Sequence, residues 1–78
     1  MTFRAWMLTH IKRDDAIGDL ARDIAEDQDW PKGNWPGEVY VYYLERVNAC
    51  EGAIRACRRA YAEYGGVETD RWAASFDA

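Results

Sequence analysis

Asp15, Asp19, Asp23 and Asp27 recur every four residues, and on an α-helix that spacing stacks carboxylates along one side. Such a ladder can hold a cation, meet a basic protein surface, or be neutralised by arginine and lysine of its own chain. The surrounding sequence lacks the spacing of oxygen ligands that calcium loops use, so a metal is the weakest of the three readings. Each like-charge pair at this spacing costs roughly 0.2 to 0.5 kcal/mol. Asp15 is accounted for as a helix cap and Asp19 by its place near the helix N-terminus. Asp23 and Asp27, with Glu26 beside them, lack that explanation and are candidates for a partner surface.

Arg55, Arg58 and Arg59 form the opposite feature. At i, i+3 and i+4 they make a compact guanidinium cluster, which is either a solvated face balanced by Glu51 and Glu63 or a binding surface for an acidic protein or a phosphate backbone. His10 has the chemistry of a general base but no nucleophile to serve, since the single serine is Ser75 near the C-terminus. Gly18, within Ile17-Gly18-Asp19, lacks the companion glycines and lysine of a phosphate loop. It reads instead as a place where a large ring such as Trp6 approaches the helix backbone. Cys50 and Cys57, seven apart in a helical pattern, are separated by about 10 Å of axial rise, too far for a disulfide between them. Without histidine neighbours they are a poor zinc site and read as small hydrophobes in a reducing compartment. These residues imply no enzyme activity, cofactor, metal or small-molecule substrate.

The elements that must position these residues follow from apolar periodicity. Thr2 caps a first helix with Phe3, Trp6, Met7 and Ile11 on one face and Lys12 and Arg13 in its last turn. Asp14 or Asp15 caps a second, with Ile17, Leu20, Ala21 and Ile24 as its stripe. Residues 29–37 carry both prolines, Trp30 and Trp35, and form a structured loop folded back over the core, because two indoles left in solvent would be adhesive. Residues 38–47 have strand composition, yet Tyr40, Tyr43, Leu44 and Val47 make a helical stripe and there is no second strand to pair with. The expectation is a helix. Asn48 and Glu51 resemble a capping box that starts a fourth helix, with Cys50, Ala53, Ile54, Cys57, Tyr61 and Tyr64 as its stripe and Gly65-Gly66 as its end. The alternative is one bent helix over 38–64. In the tail, Thr69, Trp72 and Phe76 fit one further docked turn.

A chain of 78 residues has room for one core, here rich in rings at 14% aromatic content. The reading is a domain over 1–66 and a tail over 67–78. The net charge of −4 argues against a dedicated nucleic-acid binder. With no apolar run long enough to cross a membrane and no signal-peptide layout, the expectation is a cytoplasmic protein with no membrane partner.

Phe3, Trp6 and Leu8, the run Ala16-Ile17-Gly18-Asp19-Leu20-Ala21 with Asp23 and Asp27, then Trp30-Pro31-Lys32 and Tyr43-Leu44, together resemble the YozE SAM-like family of small bacterial and phage-associated proteins. The resemblance covers roughly residues 3–64 and implies an all-α, sterile-alpha-motif-like bundle of about four short helices, with a Trp-Pro loop. Trp30 stands where the family usually has phenylalanine, and the Gly33–Gly37 insert and the tail depart from its pattern. Because Asp23 lies in that pattern, the resemblance also implies a structural bond from Asp23 to the Trp30-Pro31-Lys32 loop. The family brings no established activity, and sterile alpha motif folds elsewhere bind proteins, self-associate head to tail or bind RNA hairpins. The leading expectation is a non-catalytic protein-interaction module, self-associating through complementary faces. Its partner-binding residues are Asp19, Asp23, Glu26, Asp27, Arg55, Arg58, Arg59 and Trp35. The alternatives are a nucleic-acid-binding module using Arg55, Arg58 and Arg59, and a small phage-type inhibitor that occupies a basic host site with its acidic helix.

Overall fold

Thr2 accepts a hydrogen bond from the Ala5 amide through its hydroxyl (3.1 Å) and starts α1, Phe3–Leu8. In the computed structural model, which describes residues 1–65, three more helices follow: α2, Ala16–Glu26; α3, Gly37–Arg46; and α4, Glu51–Tyr64. Every helical segment among the described residues was expected from periodicity, including α3 with its strand-like composition. Residues 38–64 are two helices and not one. The expected docked turn around Thr69, Trp72 and Phe76 lies outside the described residues.

Three features differ from expectation. The first helix stops at Leu8, so Ile11 is on the surface and Lys12 and Arg13 lie in the α1–α2 linker, not in a last helical turn. The linker is held by side chains: Arg22 donates from α2 to the carbonyls of Ile11 (2.6 Å) and Arg13 (3.2 Å). Between α3 and α4, Asn48 is left-handed (φ 59°) and ends α3; it does not cap α4. The Asn48 amide reaches the Glu45 carbonyl (3.1 Å) and the Ala49 amide reaches Leu44 (2.9 Å), the paired bonds of a Schellman ending in which asparagine replaces the usual glycine. Cys50 takes the cap position of α4 and makes no side-chain capping bond. Gly65, at φ 75°, ends α4 as expected, a conformation that glycine adopts without steric cost.

The third correction concerns Gly18. A Cβ there would lie 1.9 Å from the Arg13 carbonyl oxygen and 2.7 Å from its carbon. The nearest neighbours of Gly18 are thus atoms of Arg13 in the linker and not of an indole. Trp6 is half-buried instead, packed on Phe3, Tyr64 and His10.

α4 packs against α1, α2 and α3 and is the spine of the fold. The core is a cluster of rings around Phe3, which is fully buried with Tyr40, Tyr61 and Tyr64 at centroid distances of 4.9, 5.1 and 5.5 Å. Trp30 extends this cluster, stacked on Tyr40 (5.5 Å, 10°) and meeting Tyr43 edge-on. Aliphatic contacts from Ile17, Leu20, Ile24, Val41 and Leu44 complete it. Among the described residues no helix is long and apolar enough to cross a membrane.

The two cysteines divide sharply. Cys57 is buried in the core, where desolvation pushes its thiol up to about 12, and Cys50 is exposed. A thiol reagent at neutral pH should therefore label one equivalent quickly in the native protein and the second only after unfolding, as read by mass spectrometry. Rapid labelling of both would place Cys57 outside the core.

Candidate functional site

The loop between α2 and α3 presents the most organised surface. Trp30 enters the core (2% exposed), whereas Trp35 stands outward (46% exposed), so the expectation that the loop covers the core holds for one tryptophan and fails for the other. The main chain around Trp35 is nonetheless fixed from below. Its amide donates to the Tyr40 hydroxyl (3.2 Å), which donates to the Gly33 carbonyl (3.3 Å), and its carbonyl accepts from the Tyr61 hydroxyl (2.8 Å). The Trp35 indole N–H closes back on the Lys32 carbonyl (2.5 Å). Tyr64 donates to the Met1 carbonyl (2.6 Å) and lies 3.3 Å from the Asn34 side-chain oxygen, tying the N-terminus to the loop. Tyrosines of α3 and α4 thus place their rings in or against the core and use their hydroxyls to hold the loop. Burial raises the pKa of the Tyr40 hydroxyl above its ordinary value.

The acidic ladder is dispersed by its surroundings. Asp15 caps α2 by accepting from the Gly18 amide (2.9 Å) and pairs with Arg13 (2.7 Å). Asp19 pairs with Arg22 one turn along. Asp27 accepts from the Tyr43 hydroxyl (2.6 Å) and the Asp29 amide (2.9 Å), which locks the exit of α2 onto α3. The hydrogen bond to Asp27 pushes the Tyr43 hydroxyl up to about 12. The structural bond expected of Asp23 is therefore made by Asp27, to α3. Among the described residues the Asp23 side chain makes no hydrogen bond or ion pair, and the side chain of Glu26, exposed near the end of α2, makes none either. Asp19 and Asp23 border a groove of about 200 Å³ with Cys50, Gly52 and Ala53. This sets them beside the first turn of α4, whose positive dipole end offsets part of their repulsion.

On α4, Arg55 pairs with Glu51 (3.0 Å), Arg58 is half-buried, and Arg59 is exposed. Only part of the expected basic cluster therefore projects freely into solvent. Periodicity also left the role of Arg13 unread. It donates to Asp15 and to Glu63 (2.9 Å), joining the α1–α2 linker to the far end of α4. Two cations at residues 12 and 13 signalled charge, but the partner of Arg13 lies 50 residues away in sequence.

This clasp has a pH signature. The hydrogen bonds from Arg13 hold the Asp15 and Glu63 carboxyls below their ordinary values of 3.8 and 4.5. Depressed carboxyl pKa values stabilise the fold above the unfolded-state values, and that contribution is lost as pH falls through the folded-state values. The window therefore opens near 4.5 and extends below 3.8. Arg13→Gln should flatten the acid limb of a plot of urea midpoint against pH. An unchanged acid limb would remove the clasp from the stability of the fold.

Among the described residues no three His, Cys, Asp or Glu side chains converge to hold a metal. Searches of the curated proteins and of the solved structures found no match. The YozE SAM-like fold matches residues 2–66, the four-helix region just described, and the chain belongs to that family.

Proposed function

We propose that this protein is a non-catalytic protein-interaction module whose anchor is Trp35. The observation that supports the reading most is an indole left 46% exposed on a loop whose main chain is clamped by Tyr40 and Tyr61. Hot spots of protein interfaces are enriched in tryptophan, and a side chain already held in place loses little entropy on binding. The charged faces add orientation: Asp23 and Glu26 on α2 and Arg59 on α4 are exposed and make no ion pair among the described residues.

The form of interaction we favour is self-association, with the acidic face of one copy against the basic face of the next. A head-to-tail contact of this kind builds rings or filaments. Exposed ion pairs contribute only about 0 to 1 kcal/mol each, so Trp35 must supply the anchoring contact. Arg59→Glu is a cleaner probe than a change at Arg58, which is half-buried. In low salt, Arg59→Glu should weaken self-association measured by light scattering, and adding Asp23→Arg should restore part of it. Self-association indifferent to both changes would refute the complementary-face arrangement. Submicromolar oligonucleotide binding that persists at physiological salt would replace the protein-interaction reading with a nucleic-acid one.

A further inference from the structure

α4 ends beside the exposed tryptophan. The Tyr61 hydroxyl holds the Trp35 carbonyl (2.8 Å), and in the same last turn of α4 Tyr64 reaches the Met1 carbonyl (2.6 Å) and the Asn34 side chain (3.3 Å). Met1 and Trp35, apolar side chains that are 78% and 46% exposed, therefore flank the end of the helix. The loop itself takes up only part of the indole. Its nitrogen bonds the Lys32 carbonyl and lies over Gly33, where an added Cβ would meet it at 3.3 Å. Gly65 follows Tyr64 in a left-handed conformation and is exposed. The chain thus leaves α4 at this patch, with residues 66–78 still to come.

We infer that residues 66–78 cover this patch, with the rings of Trp72 and Phe76 against Trp35 and Met1, and that a protein partner must displace them to reach the anchor. The inference rests on the interaction-module reading and adds its regulation. Trp72 and Phe76 stand four residues apart, the spacing of neighbours on one side of a helical turn. Trp72 comes seven residues after Gly65, which is about 10 Å as helix and up to about 25 Å extended. Either span reaches a patch that begins at the end of α4. Aromatic rings pair favourably with an open indole, in offset or edge-on arrangements. The tether then favours this occupant over a free one: a short linker sets an effective concentration of about a millimolar, against which a separate partner must compete.

The test uses the full chain, isotope-labelled and dilute enough to be monomeric, beside its combined Trp72→Ala and Phe76→Ala variant. Nuclear Overhauser contacts from the Trp35 indole to the Trp72 or Phe76 ring are expected in the original, with intensities per chain that do not change on dilution. In the variant the Trp35 indole resonance should move. Its self-association by light scattering should tighten at least about threefold, because the anchor no longer has to be uncovered. An unmoved Trp35 resonance without contacts to either ring would overturn the inference, and so would association of equal strength in both proteins. Contacts found only between labelled and unlabelled copies would overturn it too, by placing these residues of one copy on its neighbour. The two levels fail separately. Contacts within one chain, with neither protein associating at millimolar concentration, would uphold the cover and reject self-association; equal association without contacts would reject the cover and leave the module reading standing.

Discussion

Gly18→Ala should destabilise the fold by about 3 kcal/mol or more, the upper end of what overpacking a tight site costs. The added methyl would sit 1.9 Å from the Arg13 carbonyl oxygen, and backbone cannot rotate away as the end of a flexible side chain can. Moving that carbonyl also disturbs what depends on it. It accepts from Arg22 at 3.2 Å, and the Arg13 side chain spans Asp15 and Glu63. One methyl group therefore strains the α1–α2 linker, its lacing to α2 and its clasp to α4 together. For a domain of this size each kcal/mol moves the melting temperature by roughly 4 to 8 °C. A thermal melt should fall by at least about 12 °C. A melt within a few degrees of the original would show that the linker can yield, and that the close approach is not a constraint on the fold.

Phe3→Ala should cost about 3 to 5 kcal/mol, the range for removing a large ring from a packed core. Phe3 is fully buried and contacts rings from its own helix, α3 and α4. Removing it withdraws support from Tyr40 and Tyr61, the residues whose hydroxyls hold the Trp35 main chain. The variant should thus lose stability in urea and, before global unfolding, lose the fixed environment of Trp35 seen in its indole resonance. Trp6→Ala should cost less, because Trp6 is half-buried whereas Phe3 is fully buried. A Trp6 variant less stable than the Phe3 variant would contradict this order.

Much of the fold could be read from the chain because the helical stripes are regular. Ile17, Leu20, Ala21 and Ile24 are all buried, as their spacing requires. Tyr40 and Leu44 outweighed the strand composition of Val39 to Tyr43, because those two positions are buried in the core and no strand among the described residues is available for pairing. What stayed hidden depended on contacts distant in sequence. Gly18 announced a close approach, but nothing in its neighbourhood distinguished an indole from a carbonyl. Asn48 and Glu51 have the types of a capping box, yet Asn48 is also among the few residues that tolerate a left-handed backbone, and the ending of α3 used that property.

The candidate site was legible in composition more than in geometry. Trp35 was named for its type and loop position, while its clamp depends on tyrosines that periodicity assigns only to the core. The acidic ladder was visible as four carboxylates, but Asp15, Asp19 and Asp27 each have a structural partner, which leaves Asp23, with Glu26 beside the ladder, unpaired among the described residues.

Sedimentation equilibrium of the full chain beside its Trp35→Ala variant tests the interaction-module reading most directly, from micromolar to millimolar concentration in low and high salt. The expected result for the full chain is a mass that rises above the monomer with concentration and falls back as salt screens the charged faces. The variant should stay near the monomer mass while retaining the original melting behaviour. Two proteins that both remain monomeric at millimolar concentration in low salt would contradict self-association, and identical association by both would remove Trp35 as the anchor.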